Sequence, residues 1–447
     1  MTQALATTVA EHQGNGLRTV QPASTEVFER YESNIRTYCR SFPAVFARGE
    51  GSYLFDTQDG KWLDLLSGAG SLNYGHNHPV LKKALVDYID ANGMVNSLDL
   101  YTPAKEEFLN ALNDVILKPR GLEFRCQFCG PTGTNVVEAS LKLARKITQR
   151  KGVVAFSNSY HGMSAGSLAI SSSLGRYSSE PYFNSDGVTF VPFEGFTEGS
   201  DEMQVIRKLL TKKGSGIQPP AAFILEIVQC EGGINIPSAE WLRQIADLAK
   251  EVGALLIFDE IQTGCGRTGK FFCFEHYGIV PDMVCVSKSI SGLGLPMSIL
   301  LINPELDLWE RGEHTGTFRG FAYSYVTGAK ALRHFWANPD FRTSLESSSR
   351  HLARSLDSIK QEFSSHIQAV RQIGMLAGVQ LPTREFAGNL QQNCFKRGLI
   401  VEFVGSEHNV MKLLPALTIS SAEMELATQI LRDALDATVR SDTADAA

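Results

Sequence analysis

Leu255-Leu256-Ile257-Phe258-Asp259-Glu260-Ile261-Gln262-Thr263-Gly264 decides the fold, together with Met283-Val284-Cys285-Val286-Ser287-Lys288-Ser289 a short way downstream. Each opens with a compact apolar run of the kind found in strands buried on both faces of a parallel sheet. Each then hands one ionisable residue, Asp259 or Lys288, to the strand's C-terminal end. In open α/β sheets ligands bind outside that edge. The pair therefore marks both a fold and the place to look for a site.

Outward from this stretch the chain alternates strand and helix patterns. Strands are expected at Phe124–Phe128, Val153–Phe156, Val188–Val191, Ala222–Val228, Ala254–Phe258, Met283–Val286 and Ile299–Ile302. Helical spacing fills Asn135–Lys146, Glu202–Leu210 and Ala239–Glu251 between them. Such alternation predicts an α/β fold whose seven-stranded, mainly parallel sheet is covered by helices on both faces. Upstream, apolar spacing predicts one helix from Thr25 to Ser41. Tyr53–Asp56 and Trp62–Leu65 flank Asp59-Gly60 as a hairpin. A glycine-rich loop, Gly68–Pro79, follows, and Pro79 opens a helix. Downstream of Ala322 a long helical region gives way to strand patterns at Ile367–Ile373, Met375–Leu381, Leu399–Phe403 and Met411–Leu414, then a final helix. The expected organisation is a flexible tail (1–25), an N-terminal segment of a small domain (26–90), a large domain (91–330) and a C-terminal small domain (331–447). The small α+β domain would then be discontinuous.

Composition narrows the function. The 447 residues are 43% apolar and 20% charged, ordinary for a soluble globular protein. A net charge of −6 without basic blocks argues against nucleic acid. No apolar run reaches membrane-spanning length, and the N-terminus lacks a signal-peptide pattern. Eight scattered cysteines suit a reducing cytoplasm. Neither Cys126-Gln127-Phe128-Cys129 nor His76 and His78 has a second group at ligand spacing, so no metal site is expected.

Several stretches carry chemistry. Gly130-Pro131-Thr132-Gly133-Thr134-Asn135 follows a strand and opens a helix, so its amides offer a phosphate site or a plain turn. On that helix Glu138 and Lys142 are spaced for an ion pair on the solvent face. Tyr160-His161 follows the next strand, where an aromatic ring can stack on a flat ligand. Glu226 and Glu231 lie at the sheet edge. Gly264-Cys265-Gly266-Arg267-Thr268-Gly269 fits a nucleotide fingerprint in letters but not in context, because no helix follows it. Lys288 ends an apolar strand inside a Ser/Gly loop, where burial lowers an amine's pKa and makes it nucleophilic. An acid and a lysine on neighbouring strand ends suit several chemistries. Pyridoxal phosphate chemistry is one, with a carboxylate at the ring nitrogen and a lysine forming a Schiff base.

Taken together and in this order, the motifs over residues 27 to 435 resemble the class III, ornithine-aminotransferase-like branch of the fold-type-I pyridoxal phosphate enzymes. Phe258–Gly264 with Arg267-Thr268-Gly269, followed by Ser287-Lys288, is the most specific part. Arg36–Pro43, Gly70–His76, Phe128–Asn135, Gly292–Met297 and Gly312–Gly320 resemble the diaminobutyrate–2-oxoglutarate transaminases within that branch, the ectoine-pathway type included. The resemblance implies that Lys288 carries the cofactor and shuttles a proton, and that Asp259 keeps the ring nitrogen protonated. It implies that Gln262 donates to the ring oxygen, that Tyr160 stacks on the ring with His161 beside it, and that Gly133 and Thr134 bind the phosphate. Thr317 would reach a neighbouring subunit's phosphate, so a homodimer or larger homo-oligomer with shared sites is expected. Glu226 and Glu231 would lie near the substrate.

Two departures stand out. Glu226-Ile227-Val228-Gln229-Cys230-Glu231 replaces the family's Glu-Pro-Val-Gln-Gly-Glu. Lys412 stands where many class III enzymes carry a carboxylate-gripping arginine, keeping the charge without the bidentate fork. The expected activity is a ping-pong transfer between glutamate/2-oxoglutarate and the ω-amine of L-2,4-diaminobutyrate, giving aspartate 4-semialdehyde. Alternatives are another ω-amine such as ornithine or GABA, a mutase, racemase or decarboxylase on the same cofactor, and a non-catalytic relative. The expected partners are amino acids and 2-oxo acids.

Overall fold

The computed structural model describes residues 7–9, 18–20, 24–172, 185–197 and 201–445. Most of the expected tail lies outside these residues; within it, Thr7–Val9 pairs antiparallel with Arg18–Val20.

Seven strands form the main sheet: β1 (Arg125–Phe128), β2 (Val153–Phe156), β3 (Val188–Val191), β4 (Ala222–Leu225), β5 (Leu255–Asp259), β6 (Met283–Val286) and β7 (Ile299–Ile302). Their spatial order is β1-β7-β6-β5-β4-β2-β3. The pairs among β2 to β6 are parallel, while β7 runs antiparallel to both β6 and β1. No α-helix separates β6 from β7, so the chain reverses rather than crossing over. Side chains alternate between two cores. Phe156, Phe223, Phe258 and Val284 join one, with Trp241, Ile245 and Leu248 from the helix Ala239–Glu251. Ala155, Ile224, Ile257 and Cys285 join the other, with Val136 and Leu143 from the helix Gly133–Thr148. Period-2 alternation against two helical layers is what an apolar strand buried on both faces requires.

The ends of the chain meet in two smaller sheets. Phe46–Glu50, Tyr53–Asp56 and Lys61–Asp64 form an antiparallel meander, which Leu399–Ile400 extends by pairing parallel to Lys61–Asp64. Ala369–Ile373, Leu376–Gln380, Val410–Leu413 and Glu402–Val404 form the other. The single strand expected at Leu399–Phe403 is thus two strands in different sheets, divided at Val401. Trp62 stacks on Phe395 at 5.3 Å and donates Nε1–H to its carbonyl at 3.0 Å, sealing this junction. The helix expected from Thr25 to Ser41 is likewise two pieces, Glu26–Tyr31 and Tyr38–Ser41. Its apolar residues Val27, Tyr31 and Ile35 stay exposed, so none of the described residues covers the stripe that predicted one helix.

Arg267 ties the pieces together. Its guanidinium is fully buried and donates to the carbonyls of Met375 (3.0 Å) and Pro415 (2.6 Å) and to Asn73 Oδ1 (2.6 Å). Burial pulls its pKa down to about 9. Three separate segments hang on one planar fork, which a lysine cannot reproduce. Arg267→Lys should therefore cost about 2–4 kcal/mol of stability, read as a lower urea midpoint; an unchanged midpoint would discard the clamp.

Candidate active site

A cavity of about 310 Å³ opens at the C-terminal edge of the main sheet. The register explains its walls. Leu225 pairs with Phe258 and Cys285 with Asp259, so Glu226, Asp259 and Lys288 emerge side by side. Nine of the eleven sequence-derived residues line it: Gly133, Thr134, Tyr160, His161, Glu226, Glu231, Asp259, Gln262 and Lys288. Gly162, Met163, Ile261 and Thr263 complete the lining. Lys412 lies just behind the wall, and Thr317 is exposed on the surface.

At one end stands the N-terminus of the helix Gly133–Thr148. Its cap, Thr132, satisfies the amide of Asn135, leaving those of Gly133 and Thr134 at the open end. Aligned amides and the helix dipole favour an anion there. Thr134 Oγ1 lies 2.6 Å from Ser164 Oγ and also contacts Ser167 Oγ. Gly162 permits this approach: at φ 120° a Cβ would come within 2.7 Å of Thr134 Cβ. Glu138 corrects a sequence expectation. It makes no surface pair with Lys142, which donates instead to the Glu313 carbonyl at 2.7 Å. Glu138 Oε1 turns inward and accepts from Ser164 Oγ (2.6 Å) and the amides of Gly166 (2.9 Å) and Ser167 (3.3 Å).

In the middle of the cavity Asp259 is 4% exposed. Its Oδ2 lies 2.8 Å from His161 Nδ1, and its Oδ1 accepts from the amide of Ile261 at 3.1 Å. The carboxylate's demand for a donor places the imidazole proton on Nδ1. His161 Nε2 is buried without a hydrogen-bond partner among the described residues. Glu226 accepts from the amides of Tyr160 (2.9 Å) and Cys230 (3.3 Å). Burial, and then the nearby Asp259 charge, push its carboxyl well above the usual range, favouring the protonated form.

Lys288 occupies the left-handed region at φ 52°. Its Nζ donates to the Ala69 carbonyl at 2.8 Å, and Gln262 Nε2 donates to the same oxygen at 3.1 Å. Burial lowers the lysine's pKa, which Glu231 only partly opposes. Ser67, Gly68, Ala69 and Gly70 are all left-handed, with φ of 47°, 58°, 54° and 83°. Such backbone is costly for the two non-glycine residues. It is held from both sides: Ser289 Oγ donates to the Gly70 carbonyl at 2.9 Å, and Asp64 Oδ1 accepts from the amides of Leu66 and Ser67. The two loop histidines face separate neighbours, His76 meeting Asp64 at 2.7 Å and His78 packing edge-on against Phe335.

Lys412 closes the far side. It is fully buried, with Glu231 Oε1 at 2.5 Å, Glu402 Oε2 at 2.9 Å and Gln262 Oε1 at 3.4 Å. Burial alone would lower its pKa, but the two carboxylates outweigh burial and hold it above the ordinary lysine value. Burial opposes the Glu231 charge, yet Lys412 and Lys288 keep that carboxyl below its ordinary value. Sequence reasoning did not single out Ala69, Glu402, Ser164 or Ser167. The first acts through a carbonyl, which every residue has, and the others become visible only once distant segments are paired.

Comparison with known proteins supplies the class. The model of the family "Aminotransferase class-III" matches residues 36–435. The chain belongs to the class III aminotransferase family. A diaminobutyrate–2-oxoglutarate transaminase of Streptomyces avermitilis is 46% identical over 409 residues, covering 91% of this chain and 96% of that protein. One from Vibrio parahaemolyticus is 43% identical over 411 residues, covering 92% and 97%. The crystal structure of ornithine aminotransferase from Toxoplasma gondii superposes with a TM-score of 0.78 at 24% identity, covering 93% of this chain and 95% of that one. At that identity the superposition shows the fold alone, the fold-type-I architecture.

The inward Glu138 generates a prediction. Glu138→Ala strips an acceptor from three donors and should cost about 2–4 kcal/mol in urea denaturation. A loss near the ~0.5 kcal/mol of an exposed helix pair would return Glu138 to the surface.

Proposed function

We propose that the protein is a pyridoxal-phosphate-dependent aminotransferase that exchanges an amino group between L-glutamate/2-oxoglutarate and the ω-amine of L-2,4-diaminobutyrate, with L-aspartate 4-semialdehyde as the oxo partner. The observation that carries this reading is one cavity walled by Lys288, Asp259 and the Gly133–Thr134 helix terminus, with the Lys412 ammonium behind it. The relatives named for this reaction support the choice of amine.

The residues fit the cofactor. The open amides of Gly133 and Thr134 would receive its phosphate, Tyr160 would cover one face of its ring, and Asp259 would hold a proton at the ring nitrogen. Gln262, which lines the same cavity, would donate to a ring oxygen. Bound there, pyridoxal phosphate would supply an electron-withdrawing ring that takes up charge released at the substrate carbon. Lys288 would attach the cofactor and, once freed, carry the proton on Nζ to and from that carbon. Its lowered pKa favours the unprotonated amine that both tasks need. The Ala69 carbonyl gives the freed amine a fixed resting point. Burial disfavours a second negative charge on Glu226 beside Asp259, which would leave the proton at the ring nitrogen to Asp259. Both substrates carry carboxylates, and Lys412 is the cation that would grip them. Glu231 shares that cation and Gln262 at the cavity wall, where it would border the substrate.

The active unit in this reading is a homodimer. Thr317 and Phe318 are exposed, and the bridge between Asn96 and Phe321 brings them beside the segment with exposed Leu98, Leu100 and Tyr101. This apolar surface supports a second copy, with Thr317 completing the neighbour's phosphate site. Eight unpaired cysteines support a cytoplasmic setting. Among the described residues no helix is long and apolar enough to cross a membrane.

The test is a half-reaction. Holoenzyme mixed with diaminobutyrate or glutamate should lose the cofactor's visible absorption band rapidly, and with ornithine or GABA slowly. Bleaching by glutamate alone would keep the aminotransferase and discard diaminobutyrate. Lys288→Ala should show neither the band nor turnover, and normal turnover would end the assignment. For Lys412→Ala, losing one charge-assisted contact should raise KM for glutamate and 2-oxoglutarate by roughly 10–100-fold. Unchanged values would place the carboxylate anchor elsewhere.

A further inference from the structure

Glu402 faces Lys412 directly across the antiparallel pairing of Glu402–Val404 with Val410–Leu413. Opposed side chains of such a pair lie on one face of the sheet in contact range. The ion pair at 2.9 Å is therefore set by backbone register. The carboxylate's other oxygen, Oε1, accepts from the Tyr38 phenol at 2.9 Å. Glu231 takes the same ammonium from the cavity side. One cation thus stands between two carboxylates, an arrangement with a net charge of −1. The two carboxylates differ in place. The Glu231 side chain is 29% exposed and lines the cavity, while that of Glu402 is 13% exposed and lies outside the lining.

We propose that Glu402 is a specificity-determining positioning residue, a fixed counter-charge behind Lys412 that weakens its grip on dicarboxylates and favours substrates whose far end carries an ammonium beside its carboxylate. This rests on the reading of Lys412 as the carboxylate anchor. A dicarboxylate must share an ammonium that already serves two carboxylates. A diamino acid brings its own ammonium to the same place, where the excess negative charge attracts it. Glu402 stays in position during this exchange because Tyr38 and the sheet register hold it independently of the substrate. It touches no reacting atom, and its effect passes through Lys412.

The experiment compares wild-type holoenzyme with Glu402→Gln and Glu402→Asp. Binding of glutarate, a dicarboxylate with no amino or oxo group, is followed by calorimetry, and kcat/KM is measured for diaminobutyrate. Removing one charge near the surface is worth about 1–2 kcal/mol, so glutarate should bind roughly 5–30-fold more tightly to Glu402→Gln. Its kcat/KM for diaminobutyrate should fall through KM, with kcat little changed. Glu402→Asp keeps the charge and should hold both values near wild type. A purely structural role would instead weaken both substrates together and lower kcat, and that result would overturn the proposal, as would unchanged or weaker glutarate binding in Glu402→Gln. A wild type that ignores diaminobutyrate would overturn the substrate reading alone, since the glutarate arm still decides the role of Glu402.

Discussion

A guanidinium with no carboxylate partner among the described residues, that of Arg267, holds the architecture around the site. Its three acceptors belong to the glycine-rich loop, the turn between Ala369–Ile373 and Leu376–Gln380, and the segment after Val410–Leu413. Each acceptor is an uncharged oxygen, so the fork's geometry rather than ion pairing fixes their spacing. The glycine-rich loop that carries the Ala69 carbonyl facing Lys288 is tied to this point through Asn73. Asn73 continues the chain of contacts through its own amide to Ser289 Oγ, beside the lysine itself. The letters that mimic a nucleotide-binding fingerprint at Gly264–Gly269 are thus a tight loop that delivers one buried cation.

Charge around the cavity is distributed so that two acids separated by few residues are shifted in opposite directions. Glu226 is desolvated beside Asp259 and its pKa rises, whereas Lys412 and Lys288 draw that of Glu231 down. The two lysines diverge in the same way. Lys288 donates to a carbonyl, and burial lowers its proton affinity more than Glu231 restores it, whereas the two carboxylates around Lys412 raise its affinity above the ordinary value. One residue type is thereby set to opposite proton affinities by burial and by its charged neighbours.

Much of this was legible because it is local. β2, β3, β6 and β7 begin and end where apolar composition places them, and the alternation with helices leaves little choice of sheet. Asp259 and Lys288 were legible because a charged residue terminating a buried run has few structural uses. What escaped depends on partners far along the chain. Glu138 and Lys142 have the spacing of a surface pair, but the Ser164–Ser167 turn offers Glu138 three donors and wins. Glu402 looks like the end of a strand until its register with Lys412 is known. The Leu399–Phe403 run has one hydrophobicity but two destinations, which no local pattern encodes.

The parallel pairing of Leu399–Ile400 with Lys61–Asp64 carries a consequence for biosynthesis. Trp62 and the Phe395 carbonyl it binds are 333 positions apart. At ordinary translation speeds roughly 15–70 s separate their appearance. Through that interval the meander Phe46–Asp64 has an open edge and an uncovered tryptophan, the features that invite pairing with other chains. The nascent chain thus holds an incomplete sheet while its larger sheet is being made, and the last hundred residues close it. Chaperone demand and aggregation during expression should follow the rate at which ribosomes traverse that final portion, independent of how stable the finished enzyme is.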